Sequence, residues 1–258
     1  MSTRLVAYAR LSAQGLLSWS PASTIRTSWH SLAPEAGPLN LKARWFFDQP
    51  FPKFGRMDAL SKLAMAAGQL VYRASNGFHG LKPREMAQVG GTMLGCLEVD
   101  AQFEATRLAG APSPAMFVYT LPSMFQGELA IHYRLQGRCT LLSQGKLSGM
   151  AALDTALRWV GKRRVSSVLV IAADACGPLS SRLTGQAEHG EAYAYLIAGH
   201  GHGIRVVNAE GAEARPLARG DSALGCTWLD TLETHLLQGF TGAVKAVDGN
   251  ESVSLQIG

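Results

Sequence analysis

The apolar and polar positions of the chain predict strands and helices that follow one another. The clearest helix runs from Met57 to Ser75 and ends at Asn76-Gly77. Its apolar positions recur at helical spacing and are Leu60, Leu63, Ala64, Ala67, Leu70 and Val71. The strongest strand, VSSVLVIAA over residues 165–173, is apolar on both faces. Such a strand is typical of the middle of a sheet that is covered on both sides.

Weaker patterns predict the remaining elements. Further strands are predicted over residues 4–9, 88–94, 139–142, 192–198 and 204–208, and the strand at 139–142 is expected to be buried. Further helices are predicted over 98–109, 146–161 and 224–238, with an interrupted helical stretch over 116–135. A hairpin of residues 243–247 and 252–257 turns at Asp248-Gly249-Asn250, whereas 18–54 and 209–222 are predicted to be irregular. This succession predicts a mixed α/β sheet with helices on both faces.

The composition fits a soluble domain that meets a partner. The chain has 258 residues, of which 47% are hydrophobic and only 17% charged. A sizeable core can therefore form, and the low charge indicates that part of the surface is covered. The net charge of +5 suits an acidic partner such as a carrier protein, but most proteins of this charge simply have a solvated basic surface. The basic charge is mild and unclustered, and no stretch reaches the ~18 apolar residues of a membrane span. We therefore expect neither a nucleic acid nor a membrane as a partner.

Cysteines and histidines give no sign of a metal or of disulfides. Four widely spaced cysteines and the lack of a signal peptide favour a reduced, cytoplasmic setting. They are Cys96, Cys139, Cys176 and Cys226, and we interpret Cys96, Cys139 and Cys176 as small buried apolar residues. His200 and His202 lie close together in the turn GHGHG, but without cysteines at a ligand spacing. We therefore expect no metal site and no cofactor.

A strand, a tight turn and a helix of small residues make up the stretch GRCTLLSQGKLSGMAALDTA, residues 137–156. The helix carries Ser148, Gly149, Ala151, Ala152 and Ala156. Small side chains allow other backbones to approach from several sides, so we expect this helix to be buried between layers.

Four segments together resemble the N-terminal half of the β-ketoacyl synthases, which have a thiolase-like fold. They are RMDALSKLAMAA (56–67), SPAMFVYTLPSMFQGELAIHYRLQGRCT (113–140), SQGKLSGMAALDTAL (143–157) and VSSVLVIAADA (165–175). The resemblance is collinear over about residues 56–198. It implies half of a thiolase-like fold, with a synthase-like domain over 1–208 and a C-terminal extension of a helix and a hairpin over 209–258.

The resemblance also implies that the catalytic groups are missing. Where the family carries its reactive cysteine this chain has Lys146, preceded by Gly145, and nothing matches the two catalytic histidines of the family's second half. No residue is therefore assigned a catalytic role. Acyl transfer to an amine would give a stable amide, which is a dead end for a carrier cycle. A chain that has the family's fold but lacks its reactive cysteine resembles the truncated chain-length-factor subunits of type II polyketide synthases of the aryl polyene kind.

That resemblance implies a non-catalytic partner of a complete ketosynthase subunit, which forms a heterodimer, serves an acyl carrier protein and shapes the acyl tunnel. The residues assigned to the tunnel or interface are Met116, Phe117, Tyr119, Leu121, Met124 and Phe125, which could equally be ordinary core. Half a fold would leave one face of its helix layer bare, unless residues 209–258 cover it. Two other functions stay open, namely a stand-alone acyl-binding or acyltransferase enzyme that uses Lys146 or a cysteine, and a scaffold without a tunnel.

Overall fold

The computed structural model describes residues 3–209, 214–217, 225–226 and 228–258. The strands are β1 (Arg4–Ser12), β2 (Gly15–Ser20), β3 (Ser23–Thr27), β4 (Ala87–Gly91), β5 (Cys139–Leu142), β6 (Ser167–Cys176), β7 (His189–Ala198), β8 (Ile204–Asn208), β9 (Arg215–Pro216), β10 (Gly242–Asp248) and β11 (Glu251–Ile257). The helices are α1 (Trp29–Leu32), α2 (Ala59–Ala74), α3 (Leu97–Leu108), α4 (Pro114–Phe117), α5 (Met124–Tyr133), α6 (Ser148–Gly161), α7 (Pro178–Thr184) and α8 (Leu229–Leu237). Short 3-10 turns lie at Ala43–Trp45, Pro52–Arg56, Pro83–Glu85 and Val118–Thr120.

The main sheet has the order β5-β4-β6-β7-β1 and mixes parallel with antiparallel pairs. Strand β4 runs parallel to both β5 and β6, whereas β7 is antiparallel to β6 and to β1. The free side of β1 is shared, because β8 pairs with its first residues and the hairpin partner β2 with its last. The mixed α/β sheet predicted from the sequence is therefore confirmed, with β6 at its centre.

The side chains of the central strands point alternately to the two faces of the sheet, and each face has its own hydrophobic core. In β6, Leu169, Ile171 and Ala173 face one core, whereas Val168 and Val170 face the other. Side chains of a strand point alternately to opposite faces, so an uninterrupted apolar strand must be covered on both. All ten residues of β6 are buried, as the sequence predicted for this strand.

The first core lies under α2 and α5. Helix α2 packs on β1, β6 and β7 and also contacts α5. The side chain of Asp58 begins the helix by accepting the backbone N–H of Ser61 at 3.1 Å, which satisfies one of the free N–H groups of the first turn. Aromatic rings from the stretch before α2, among them Phe46, Phe47 and Phe54, complete this core.

The second core contains α6, which lies between two sheets. One side of α6 contacts β4 and β6, and its other side contacts β8 and β11. These last strands belong to a small second sheet in which β8, β11 and β10 run antiparallel and β9 adds two residues. Strands β8 and β11 thus cover the face of α6 that half a thiolase-like fold would leave bare, and of these two β11 belongs to residues 209–258. Of the two possibilities the sequence left open, this is the one observed.

Several sequence predictions need correction. Residues 18–54 were predicted to be irregular, but β2 and β3 form a hairpin there, and α1 follows. Strand β5 was expected to be buried, yet it is an edge strand whose Cys139 is exposed. Most of the predicted loop 209–222 lies outside the described residues, whereas the helix and hairpin predicted after it are confirmed as α8, β10 and β11. The division at residue 208 stays a prediction, and β8 pairs with strands on both sides of it.

A buried ion-pair network fixes α8 to the main sheet. Arg10 of β1 lies 3.1 Å from Glu233 Oε1 and 3.5 Å from Asp230 Oδ1, and the hydroxyl of Tyr193 donates to the same Asp230 carboxylate. Burial raises the pKa of Glu233 to about 7, and the nearby Asp230 adds to the increase while Arg10 opposes it. Desolvation therefore outweighs the attraction of the guanidinium. The Glu233 carboxyl is protonated in part at neutral pH.

We predict that Gly91→Ala destabilises the chain by about 1–3 kcal/mol, as overpacking does. A Cβ on Gly91 would lie 2.5 Å from the backbone oxygen of Ser148 and 3.1 Å from the Cβ of Ala152, so β4 and α6 would have to separate. Gly55→Ala is the control, since no heavy atom lies within 4 Å of its added Cβ. Urea unfolding measures both, and equal midpoints would contradict this account of the β4–α6 contact.

We predict that Glu233 makes the protein less stable as the pH rises from about 4.5 to about 7. The folded state holds this proton at a pH where the unfolded chain releases it, so the slope of stability against pH is negative in this window and flat above it. Glu233→Gln removes the slope and gains about 1–3 kcal/mol relative to the parent chain between pH 4.5 and pH 8. The exposed Glu188→Gln controls for lost charge. Parallel stability profiles for the parent and Glu233→Gln would contradict the prediction.

Candidate functional site

The turn between β5 and α6 is the position where the resemblance predicts a nucleophile. Gly145 is exposed and has a φ of +53°, in the left-handed region that favours glycine. Lys146 follows it and is half-buried, and Leu147 is buried. The helix begins at Ser148, so Lys146 precedes the helix by two residues, whereas the sequence pattern had placed it at the first helical residue.

Ser148 holds this turn in one shape. Its buried hydroxyl donates to the carbonyl oxygen of Gly145 at 2.6 Å and accepts the backbone N–H of Gln144 at 2.9 Å. These bonds cross the turn on both sides of residue 146. Neither of these bonds involves the side chain of residue 146.

Lys146 has no neighbour suited to catalysis. Within the part of the chain that the structure describes, its ammonium makes no hydrogen bond or ion pair with a carboxylate or an imidazole. A nucleophilic amine must be neutral and needs a base to take its proton. Among the described residues, the surroundings of Lys146 offer neither a base nor an oriented partner for one.

The first turn of α6 is closed by the C-terminal part of the chain. The backbone N–H of Gly149 donates to the carbonyl oxygen of Gly225 at 2.9 Å. The first N–H groups of a helix lack partners within the helix and can otherwise stabilise an anion. A Cβ on Gly149 would lie 2.7 Å from Leu229 Cδ1, so glycine permits this close approach. The N–H group of Gly149 is therefore bonded within the protein and is not free to stabilise a reacting oxygen.

A buried carboxylate ties this region together. Asp174 Oδ1 accepts the hydroxyl of Thr92 at 2.7 Å and the backbone N–H groups of Leu94 at 2.8 Å and Met93 at 2.9 Å. Its Oδ2 accepts the backbone N–H of Gly225 at 3.0 Å. Complete burial raises the pKa of Asp174, and these four donors oppose the increase. Sequence analysis missed this residue, although an aspartate at the end of an otherwise apolar strand was a usable signal.

The cysteines do not resemble activated thiols. Burial, with a contribution from Asp100, raises the pKa of Cys96 to about 12, and burial raises the pKa of Cys226 well above its usual range. Cys139 is exposed at the start of β5, contrary to the sequence interpretation, but partial desolvation raises the pKa of its thiol as well. A reactive cysteine needs a lowered pKa. Cys176 is buried, as interpreted from the sequence.

The six residues predicted to line a tunnel or interface separate into three groups. Phe125 is fully buried and Tyr119 nearly so, and both belong to the first core. Met116 and Met124 are half-buried against that core. Phe117 and Leu121 point outward, and each is 60% exposed. The structure therefore does not bring all six to one surface.

Phe117, Val118 and Leu121 form an exposed apolar patch, here called the α4–α5 patch. A buried network supports it from below, because the hydroxyl of Tyr119 donates to Glu128 Oε1 at 3.0 Å, and Lys53 lies 2.6 Å from Glu128 Oε2. Burial raises the pKa of Tyr119 to about 12, with a contribution from its bond to Glu128. The phenol thus stays a hydrogen-bond donor.

Strand β5 lies at the open edge of the main sheet. It pairs only with β4, so within the described residues its outer side has no backbone partner. The carbonyl oxygens of Arg138 and Leu142 accept N–H groups from β4 and its extension. The alternation of a parallel ladder then directs the N–H and C=O groups of Cys139 and Leu141 outward. Gln126 of α5 bonds to the Thr140 carbonyl at 2.9 Å, which joins the edge to the helix that follows the patch.

The histidines after β7 do not form a metal centre with other side chains. In the described residues no three or more histidine, cysteine or acidic side chains are grouped so that they could hold a metal ion. His200 and His202 are both exposed in the loop after β7. Among all the residues that the structure describes, no helix is long and apolar enough to cross a membrane.

Comparison with known proteins relates the chain to solved structures alone. No family model matches it, and no curated protein matches it. A chain of the Xenorhabdus doucetiae complex of the ketosynthase ApeO with its chain length factor ApeC superimposes with a TM-score of 0.66 at 16% identity, covering 99% of both chains. A chain of the ishigamide ketosynthase/chain length factor gives 0.65 at 16% identity, covering 100% of this chain and 99% of that one.

A third match contains a carrier protein. A chain of AntDE:AntF, described as a type II polyketide synthase acyl-carrier protein in complex with its ketosynthase bound to the hexaketide, gives a TM-score of 0.69 at 12% identity, covering 99% of this chain and 98% of that one. Identities this low establish the fold and not the activity. The chain therefore has the thiolase-like fold of the ketosynthases and chain length factors.

Proposed function

We propose that this chain is a non-catalytic, chain-length-factor-like subunit that pairs with a complete ketosynthase in polyketide or aryl polyene synthesis. The observation that carries the proposal is the turn between β5 and α6. There Ser148 holds the backbone, and Lys146 stands where the resemblance implies a nucleophile, with no base beside it among the described residues. The C-terminal segment closes the first turn of α6 through Gly149 and Gly225. The two matches named above as ketosynthase/chain length factor complexes support this assignment.

The partner would bind along β5 and the α4–α5 patch. An open strand edge with unpaired N–H and C=O groups is a template for pairing with another chain. Exposed apolar side chains beside such an edge fit the core of a protein interface. Gln126 links the two features, since its helix follows the patch and its amide bonds to β5. A ketosynthase partner would then supply the nucleophile and the bases.

Within the proposed heterodimer, Phe117 and Leu121 are the residues we assign to limiting the acyl chain. Both are exposed in this chain and would face whatever space lies between the subunits. Bulky side chains there would limit a growing chain by exclusion of volume. Tyr119 and Phe125 would position this segment from the core, with Met116 and Met124 between the two groups.

A carrier protein would deliver acyl groups to the partner's active site, and the AntDE:AntF complex, in which an acyl-carrier protein is bound to its ketosynthase, supports this expectation. The setting we propose is the cytoplasm, where the four free thiols of this chain would stay reduced. A stand-alone acyltransferase is not favoured, because three thiols have raised pKa values and Lys146 lacks a base.

We predict that Phe117→Glu and Leu121→Glu each weaken binding to the co-expressed ketosynthase at least about tenfold, because a carboxylate would be buried without a partner. Ile25→Glu is the matched control, since Ile25 is 58% exposed on β3, at the other side of the sheet from β5. Co-purification and size-exclusion chromatography measure the effect. Unchanged binding in both patch variants would contradict the interface. A covalent acyl adduct with turnover on this chain alone would contradict the non-catalytic role.

We predict that Phe117→Ala and Leu121→Ala make the complex release longer products at a similar rate, since both changes open space and touch no catalytic group. Phe125→Ala should instead cost about 3–5 kcal/mol of stability, because its ring fills the first core. Chromatography of the products together with the yield of the complex separates these outcomes. Intact complexes of the first two variants that make products of unaltered length would remove the case for chain-length control by this segment.

A further inference from the structure

A basic cavity lies at the end of the molecule remote from Lys146. It has a volume of about 560 Å³ and is lined by Arg84, Arg138, Arg163, Arg164 and His200, with Val160 and Val165 among the apolar lining residues. It lies beyond the start of β4, β5 and β6, whereas Lys146 lies at the other end of β5 and of α6. It is therefore separate from the turn and from the α4–α5 patch.

The four arginines that line the cavity come from three separate parts of the chain, and all four are exposed. Arg84 precedes β4, Arg138 precedes β5, and Arg163 and Arg164 follow α6. Cations at the end of α6 are favoured by the helix dipole, but this does not account for Arg84 and Arg138, which come from other segments. Within the described residues none of the four has a carboxylate partner. The acidic residue of the cavity, Glu85, lies 3.0 Å from Lys82.

Arg163 lies in the turn that ends α6, where a residue in the left-handed conformation is common. Its φ is +55°, a left-handed conformation that a glycine would adopt without strain. The turn is held by the N–H of Arg163 on the Val160 carbonyl at 2.9 Å and the N–H of Arg164 on the Trp159 carbonyl at 2.8 Å. A glycine at position 163 would therefore keep this turn while it removes the guanidinium group.

We propose that this cavity binds a small ligand through a diphosphate group. The guanidinium fork matches phosphate oxygens in pairs, so four forks suit two linked phosphates. A diphosphate alone would leave much of the cavity empty, and the partly buried Val165 would contact the remainder of the ligand. Concave walls favour a small ligand over the convex surface of an acidic protein. The inference does not depend on the function proposed above.

The test is calorimetric titration of the full chain at low salt with inorganic pyrophosphate, ATP and inorganic phosphate, and separately with polyglutamate. We expect pyrophosphate and ATP to bind more tightly than phosphate, with ATP the tighter if the apolar wall contributes. Arg138→Gln and Arg163→Gly should each weaken the binding of pyrophosphate at least about tenfold. Arg163→Gly should do so without lowering the melting temperature, because glycine relieves the strained backbone. The exposed Arg44→Gln, outside the cavity, should bind like the parent chain.

Three results would overturn the proposal. One is the absence of binding by pyrophosphate and ATP in the folded chain. Another is an equal loss in Arg44→Gln, which would reduce the effect to net charge. The last is a chain that binds polyglutamate through Arg138 and Arg163 but does not bind pyrophosphate. That result would assign the surface to an acidic protein.

Discussion

The buried Asp174 carboxylate is the interaction on which the arrangement around the nucleophile position depends. A buried carboxylate is costly unless its oxygens are fully hydrogen-bonded. The required donors come from the residues after β4 and from Gly225, far along the chain. Gly225 then accepts the N–H of Gly149. One carboxylate thus fixes the end of β6, the end of β4 and the first turn of α6 relative to one another.

This linkage explains how so short a C-terminal segment can cover α6. Gly225 anchors this segment at one end of α6, and β8 pairs with β1 near the other end. Between these points α8 and the strands β10 and β11 contribute leucines and valines to the second core. The network of Arg10 with Asp230 and Glu233 adds a polar contact whose stabilisation depends on the protonation of Glu233.

Sequence patterns correctly predicted the helices and strands whose apolar residues follow a clear helical or strand pattern. Helix α2 and strand β6 were predicted within a few residues of their ends, because their apolar positions repeat over long stretches. The β2–β3 hairpin was missed, because its turn at Pro21-Ala22 lacks the Asn-Gly or Asp-Gly pair that marks tight hairpins. Strand β5 is apolar in sequence but lies at an edge, and the position of a strand within a sheet does not follow from its own residues. For the site, the chain order identified Lys146, whereas the contacts of Asp174 and Gly225 needed the folded chain.

The edges of the sheets are not alike, and the difference bears on the proposed interface. Strand β3 is exposed and mostly polar, with the sequence STIRT, and β9 has only two residues, one of them Pro216. Short strands, polar side chains and proline are the usual protection of an edge against pairing. Strand β5 reads CTLL and lies in the same region as the apolar patch formed by Phe117, Val118 and Leu121. Strand β5 has none of the protection found at β3 and β9, and this contrast is the reason why the proposed interface is assigned to β5.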